Sequence, residues 1–276
     1  MVTVFEALKR ATDYLKPFSD EAEGEAKKIL SHLLGIETSR LVLSDKKVDL
    51  KELEKILARR KKGEPLQYIL GKWWFYEGEF LVGKGVLIPR QDTETLVAVA
   101  LDELKEKKNA SVADLCAGSG AIGISIAAKR PDITVLAVEK YKRAYEFLEK
   151  NILLNRVKNV KSVRADVLKK PFGCYDMIVS NPPYITTKEM ASLQTEVKKE
   201  PKTALFGGED GLDFYRTISA KWKSTLKENG ILMFEIGATQ ASAVAEIMKK
   251  EGFTDITLKK DLCGVQRVIF GTVKDI

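Results

Sequence analysis

From about residue 91 the chain alternates strand-like and helix-like runs, and this alternation restricts the possible fold more than any other feature. Runs rich in apolar and β-branched residues predict strands at Ser111–Cys116, Thr134–Glu139, Ser162–Val167, Tyr175–Asn181 and Ile231–Gly237. Between them, helical spacing of apolar residues predicts helices over Ala121–Lys129, Ala144–Leu154, Gly211–Lys227 and Gln240–Lys249. Strands separated by crossover helices pair in parallel, so the pattern predicts an open α/β sheet. The end of the chain departs from this pattern. Asp255–Lys260 and Gln266–Val273 are joined by a turn with no room for a helix, which predicts an antiparallel pair at the sheet edge.

Residues 1–67 have a different character and predict a small helical domain. Val4, Phe5, Leu8, Ala11 and Leu15 recur at helical spacing. Asp20-Glu-Ala-Glu23 has the form of a capping box opening a second helix that ends near Gly35. Leu50, Leu53, Ile56 and Leu57 mark a third, stopped by Gly63 and Pro65. Residues 68–90 carry aromatic and β-branched residues punctuated by Gly71, Gly78, Gly83 and Gly85, which predicts a β-hairpin connector to an α/β domain over 91–276.

The net charge of +7 raises the question of a nucleic-acid partner. The excess is spread evenly: residues 1–90 hold 17 Lys/Arg against 14 Asp/Glu, and the remainder 29 against 25. The one dense run, Arg59-Arg60-Lys61-Lys62, falls at a helix C-terminus, where cations complement the helix dipole. Direct nucleic-acid binding is therefore not expected, although the run could contact ribosomal RNA or another anionic partner. No apolar stretch approaches the roughly 20 residues that span a bilayer, and Glu6 interrupts what would be a secretion signal. The expectation is a cytosolic monomer without membrane contact. Cys116, Cys174 and Cys263 lack pairing or metal-like spacing and are expected as reduced, buried thiols. His32, the single histidine, is expected to pack beside Ile29, Leu33 and Leu34, which leaves no imidazole for a triad or a zinc site.

Two segments carry chemistry. Asp114-Leu-Cys-Ala-Gly118-Ser-Gly120-Ala-Ile-Gly123 follows the first strand of the α/β region and opens a helix. Its glycines permit a sharp turn and close approach to a ligand, while the helix N-terminus offers unpaired N–H groups. Taken alone, Gly118-Ser-Gly120-Ala-Ile-Gly123 satisfies a dinucleotide fingerprint. Glu139 could hold ribose hydroxyls in an NAD or an S-adenosylmethionine site. Asp114 favours S-adenosylmethionine, since a carboxylate there could meet a methionine amino group, directly or through water, but would repel a pyrophosphate. Asp166, expected at the end of the third strand, could accept from an adenine amino group. The antiparallel ending also departs from the parallel dinucleotide fold.

Asn181-Pro182-Pro183-Tyr184 directly follows a strand, at the carboxyl edge where open α/β sheets bind ligands. A planar NH₂ group has two donors, which the Asn181 side-chain oxygen and the Pro182 carbonyl could accept. Proline fixes φ and adds no competing donor. Tyr184 could supply an aromatic face to a planar amide or base. These residues predict methyl transfer to an amide or amine nitrogen and do not separate a glutamine amide from a nucleobase amine.

With these segments in place the chain resembles the protein-(glutamine-N5) methyltransferases that modify class I peptide release factors, the PrmC/HemK family. The resemblance runs through Glu64–Gly71, Leu87–Glu94, Asp114–Gly123, Asn181–Tyr184, Glu200–Arg216, Glu235–Gly237, Gln240 and Lys260–Arg267, nearly the whole length. It implies a class I S-adenosylmethionine-dependent methyltransferase fold, a Rossmann-like seven-stranded sheet with an antiparallel edge pair plus a small N-terminal helical domain. It places cofactor contacts on Asp114, Cys116, Ala117, Gly118, Ser119, Gly120, Glu139, Asp166, Val167 and Asn181. It implies an amide clamp at Asn181, Pro182, Pro183 and Tyr184, a closing segment around Pro89, Arg90 and Thr93, and a helical domain that helps to recognise the release factor. The implied substrate is the glutamine of the Gly-Gly-Gln tripeptide. Cys116-Ala117 stands where many members have Gly-Thr, Glu139 replaces a commoner Asp, and Gln91 replaces a Pro. A DNA adenine-N6 or cytosine-N4 methyltransferase is the alternative enzyme, since exocyclic amines suit the same clamp, though base flipping usually needs a basic recognition region. An RNA- or ribosome-binding module using Arg59–Lys62 is the alternative without catalysis.

Overall fold

The computed structural model describes residues 1–274. They form two compact units: residues 1–71 with 194–199, and residues 72–193 with the chain from 200 onward. In the first unit, β1 (Val2–Thr3) pairs antiparallel with β2 (Lys47–Val48), and the helices are α1 (Val4–Leu15), α2 (Ala22–Leu34), α3 (Leu50–Lys61) and α4 (Leu66–Leu70). Val4, Ala7, Ala11 and Leu15 lie on one face of α1 and pack into a core with Ile29, Leu30, Leu53 and Leu57. The capping box belongs to α1, where Thr3 and Glu6 bond reciprocally. The box expected at Asp20–Glu23 does not form, because Ser19 bonds Glu25 and Glu23 pairs with Lys27 at 2.5 Å. His32 is exposed in the last turn of α2, not packed: Ile29 and Leu30 fill the buried face instead.

The basic run is not a free patch. Arg60 is 2% exposed and donates to both carboxylate oxygens of Glu25 and to Glu196, while Arg59 makes a forked pair with Glu64. Both guanidiniums are thus committed to carboxylates of their own unit, which leaves less charge for an anionic partner.

The second unit opens with a hairpin, β3 (Lys72–Phe75) against β4 (Gly78–Leu81). This hairpin, expected as a connector, is part of the second compact unit. Then follow α5 (Glu94–Glu103), β5 (Ser111–Leu115), α6 (Ala121–Lys129), β6 (Thr134–Glu139), α7 (Lys142–Leu154), β7 (Val160–Arg164) and β8 (Tyr175–Ser180). The chain continues through α8 (Thr187–Ser192), α9 (Asp213–Trp222), β9 (Leu226–Glu235), α10 (Ala241–Lys250), β10 (Thr254–Lys260) and β11 (Gln266–Thr272). Among the described residues the sheet has seven strands in the order β10-β11-β9-β8-β5-β6-β7. β5 to β9 pair in parallel, and β11 runs antiparallel to both β9 and β10. Val112, Ala137, Val179 and Met233 point into one apolar layer and Ala113, Val138, Ile178 and Leu232 into the other, as a sheet covered on both faces requires.

Several boundaries differ from the sequence expectation for local reasons. The third strand of the sheet ends at Arg164, because the Asp166 side chain accepts from the Leu168 N–H and turns the chain; Asp166 therefore lies beyond the strand. β9 begins at Leu226, before the expected Ile231, through an irregularity that includes Asn229 at φ +56°. α9 starts at Asp213 and gives way to a 3-10 turn at Lys223–Thr225. Cys174 and Cys263 are exposed and Cys116 is half-buried, contrary to the expectation of buried thiols. No helix among the described residues is long and apolar enough to cross a membrane.

Candidate active site

Strand order places the site. From β5 the chain moves outward through β6 and β7 and then returns to β8 on the other side of β5, so the carboxyl ends of β5 and β8 flank a topological switch point. Leu115 and Ser180 are paired there, and the Ser180 hydroxyl donates to the Leu115 carbonyl at 2.7 Å. The glycine loop and Asn181 thus leave the sheet side by side. Beside them opens a cleft lined by both segments, by the end of β6 and by residues 165–167, at the place where open α/β sheets bind ligands.

Cys116, Ala117, Gly118 and Ser119 line the cleft from the loop. Cys116 sits at φ +61° and Gly118 at +56°, and the first of these is a left-handed backbone that costs a non-glycine residue roughly 1–2 kcal/mol. The site-lining cysteine therefore occupies a position whose backbone suits glycine, and burial pushes its thiol pKa up. Gly120 does not line the cleft. A Cβ there would meet Leu148 at 2.5 Å and Ile124 at 2.8 Å, so its small size serves packing.

Glu139 lies at the end of β6 and is 6% exposed. Its carboxylate accepts from the Gly118 N–H at 2.9 Å and the Tyr141 N–H at 2.7 Å, which locks the loop to β6. Burial raises its pKa, and these backbone donors oppose the rise. A carboxylate has about four acceptor positions, so with the Gly118, Tyr141 and Lys140 backbone groups on it Glu139 keeps room for a ribose hydroxyl. Asp166 lines the cleft next to Val167 and is paired with Lys140 at 3.0 Å. Its burial favours the neutral form, but Lys140 and the Leu168 N–H outweigh this and hold its pKa below the ordinary value.

Asp114 does not line the cleft. It is fully buried, with Oδ2 accepting from the Gly123 N–H at 2.9 Å and Oδ1 without a protein donor. It anchors the first turn of α6, and the geometry does not turn its carboxylate toward a ligand amino group as the sequence suggested. Burial raises its pKa to about 7.

Asn181, Pro183 and Thr93 line the opposite wall, while Pro182 and Tyr184 do not. Asn181 Nδ2 donates to Thr93 Oγ1 at 3.3 Å. Its Oδ1 takes no hydrogen bond from a described residue, and Asn181 borders the cavity. Tyr184 backs this segment instead of offering a face to the cleft. Gln240 holds its carbonyl at 3.1 Å, and Gln240 Oε1 in turn accepts from the Gly237 N–H. Arg90 also lines the cleft and pairs with Glu200, which additionally accepts from the Ile88 N–H at 3.0 Å. Glu235, at the end of β9, has a buried carboxylate oxygen, Oε2, without a hydrogen-bond partner among the described residues. It is 2% exposed, and burial raises its pKa to about 7. Glu235, Gln240, Glu200 and Lys140 were not singled out as site residues from the sequence. A buried-strand context for Glu235, between Phe234 and Ile236, was the available signal for one of them.

The groups around the cleft suit a cationic nucleoside. Glu139 and Asp166 present carboxylates, and the cations on the same walls, Lys140 and Arg90, are each paired with an acid. A pyrophosphate would face the same two carboxylates at close range. S-adenosylmethionine fits: Glu139 would hold its ribose, Asp166 and Val167 its adenine, and Cys116–Ser119 the backbone contacts.

Comparison with known proteins supports the assignment. Residues 91–209 match the Methyltransferase small domain family and residues 6–71 the PrmC N-terminal domain family. A release factor glutamine methyltransferase from Thermodesulfovibrio yellowstonii is 37% identical, covering 95% of this chain and 96% of that protein. Another, from Clostridium acetobutylicum, is 38% identical and covers 96% of each. The chain belongs to the release factor glutamine methyltransferase family. Family membership makes it an S-adenosylmethionine-dependent methyltransferase. The crystal structure of ribosomal protein L11 methylase from Lactobacillus delbrueckii subsp. bulgaricus shares the fold at TM-score 0.51 and 19% identity, covering 70% of this chain and 84% of that one. The seven-stranded sheet with its antiparallel edge pair is the methyltransferase fold that the sequence resemblance implied.

Proposed function

We propose that the chain methylates the side-chain amide nitrogen, N5, of the glutamine in the Gly-Gly-Gln motif of class I peptide chain release factors. The observation that carries this reading is the free Oδ1 of Asn181 at the cleft wall, one residue beyond β8 and beside the glycine loop. That acceptor suits a planar NH₂ group, and the release-factor glutamine is the substrate named for the relatives.

Bound S-adenosylmethionine supplies a methyl group on a sulfonium sulfur, already activated toward a nitrogen nucleophile. Asn181 Oδ1 accepts one amide N–H bond and would hold the nitrogen toward that methyl. As the N–C bond forms and the S–C bond breaks, one amide proton passes to water. The protein's contribution is mainly orientation, which in well-aligned systems is worth about 7–11 kcal/mol of barrier. Pro183 fixes the backbone, Tyr184 supports it from behind, and Arg90 and Thr93 line the cleft beside it. Residues 1–67 serve substrate recognition, 68–90 link, and 91–276 carry catalysis, in a protein that acts as a monomer. No feature of the charge distribution favours the DNA adenine-N6 or cytosine-N4 alternative, since Arg59 and Arg60 are already paired with acids.

Mass spectrometry of a purified class I release factor, incubated with the enzyme and S-adenosylmethionine, tests the reading. One methyl group on the Gly-Gly-Gln glutamine is expected. Methylation of duplex DNA, with the release factor left unmodified, would replace this proposal with the DNA reading.

A further inference from the structure

The last residue of the Asn181–Tyr184 turn is held from outside the cleft by one side chain, that of Gln240, where the chain turns from β9 into α10. The Gln240 N–H donates to the Gly237 carbonyl, and the Gly237 N–H donates back to Gln240 Oε1, each at 3.0 Å. This exchange fixes which way the amide points, because a backbone N–H can only donate and so takes the oxygen end. Nε2 is left facing two carbonyls, Tyr184 at 3.1 Å and Gly211 at 3.3 Å. Both can only accept, so each takes one proton of the NH₂ group. The Tyr215 hydroxyl shares its single proton between the Glu235 carbonyl at 2.9 Å and Gln240 Oε1 at 3.3 Å, which completes the bonds the amide can make. Two glycines leave room for it. A Cβ on Gly211 would lie 2.3 Å from the Tyr184 carbonyl oxygen and 2.8 Å from Gln240 Nε2, and one on Gly237 would lie 2.9 Å from Gln240 Oε1. Between Tyr184 and Asn181 stand Pro182 and Pro183, whose fixed φ carries a displacement at Tyr184 through to Asn181 instead of absorbing it.

We propose that Gln240 is a positioning residue for methyl transfer, holding the Tyr184 carbonyl so that Asn181 keeps its place at the cleft wall. This rests on the clamp reading of Asn181, and the test separates the two. Single-turnover transfer to the release factor, S-adenosylmethionine affinity and melting temperature are measured for Gln240→Met, Gln240→Glu, Tyr215→Phe, Asn181→Ala and the pair of each Gln240 variant with Asn181→Ala. Gln240→Met keeps the length of the side chain and loses all its hydrogen bonds. Gln240→Glu keeps the acceptor for the Gly237 N–H but turns an oxygen toward two carbonyl oxygens. Both are expected to slow transfer by roughly 10- to 100-fold, as small misplacements of reacting groups do, with cofactor affinity close to the parent's. Tyr215→Phe takes a bond from the far side of the amide, so it should lower the melting temperature yet keep transfer within about threefold of the parent. In the Asn181→Ala background each Gln240 change should cost less than about threefold, because groups that act as one unit are not additive. Parental transfer by both Gln240 variants, a Tyr215→Phe variant as slow as Gln240→Met, cofactor affinity that falls as far as transfer, or losses that multiply with Asn181→Ala would each overturn the proposal. If Gln240→Met does not fold, Gln240→Glu and its pair with Asn181→Ala decide the matter alone. Unchanged transfer by Asn181→Ala would instead remove the clamp itself.

Discussion

At the scale of single residues the two walls of the cleft divide the work. Asn181 borders the cleft with its Nδ2 held by Thr93, and its Oδ1 is the acceptor proposed for a substrate nitrogen. Asn181→Ala should therefore leave S-adenosylmethionine binding nearly intact and slow single-turnover transfer by on the order of 10²–10³. Glu139 predicts the reverse. Its carboxylate holds the Gly118 and Tyr141 N–H groups and would add a ribose hydroxyl. Hydrogen bonds to a charged partner contribute about 1.5–3 kcal/mol each, so Glu139→Ala should weaken cofactor affinity by roughly 10- to 100-fold at least. Calorimetric titration with S-adenosylmethionine reads this directly, and parental affinity would move the ribose contact to another residue.

Between elements, close backbone packing keeps the clamp in place. The segment after the Asn181–Tyr184 turn bridges to the 205–207 loop, with Ile185 N–H donating to Leu205 and Gly207 N–H to Ile185. A Cβ on Gly207 would lie 2.5 Å from the Pro183 carbonyl oxygen and 2.7 Å from Tyr184 Cα, both backbone atoms that cannot swing aside. Gly207→Ala should displace Pro183 and Tyr184, lowering kcat more than cofactor affinity; kinetics beside a cofactor titration would show it, and unchanged kcat would mean the turn tolerates the shift. Little of this was legible in the sequence. Alternating strands and helices located the sheet, because burial of both faces leaves long apolar runs, and the short final connection located the antiparallel edge. α5 was overlooked although Leu96, Val97 and Ala100 stand at helical spacing and are buried. Asp166 was placed on a strand because its own side-chain turn competes with the ladder, and Asp114 was aimed at the ligand because sequence does not reveal which way a buried carboxylate faces. Glu235 belongs to the same class: the strand pattern marks it as buried but does not show that its Oε2 lacks a partner among the described residues.

For the molecule as a whole, buried acids set how stability responds to pH. Asp114 has its pKa raised by burial from 3.8 to about 7. The folded state then binds more protons than the unfolded chain between these values, so this group makes stability fall as pH rises through that window and adds no further change above it. Asp166 and Asp176 work in the opposite sense, since partners hold their pKa values below the ordinary one despite burial; their contribution is present at neutral pH and lost on acidification. The parent's melting curve is the sum of these terms, so a difference measurement is needed to isolate one. Asp114→Asn keeps a side-chain oxygen for the Gly123 N–H but cannot ionise. Its melting temperature relative to the parent should climb as pH goes from about 4 to about 7 and then level off, whatever constant offset the buried NH₂ group imposes. A difference that stays flat or falls over that range would mean that Asp114 is ionised in the folded protein at acidic pH, and that its unpartnered Oδ1 is solvated or bound by a cation.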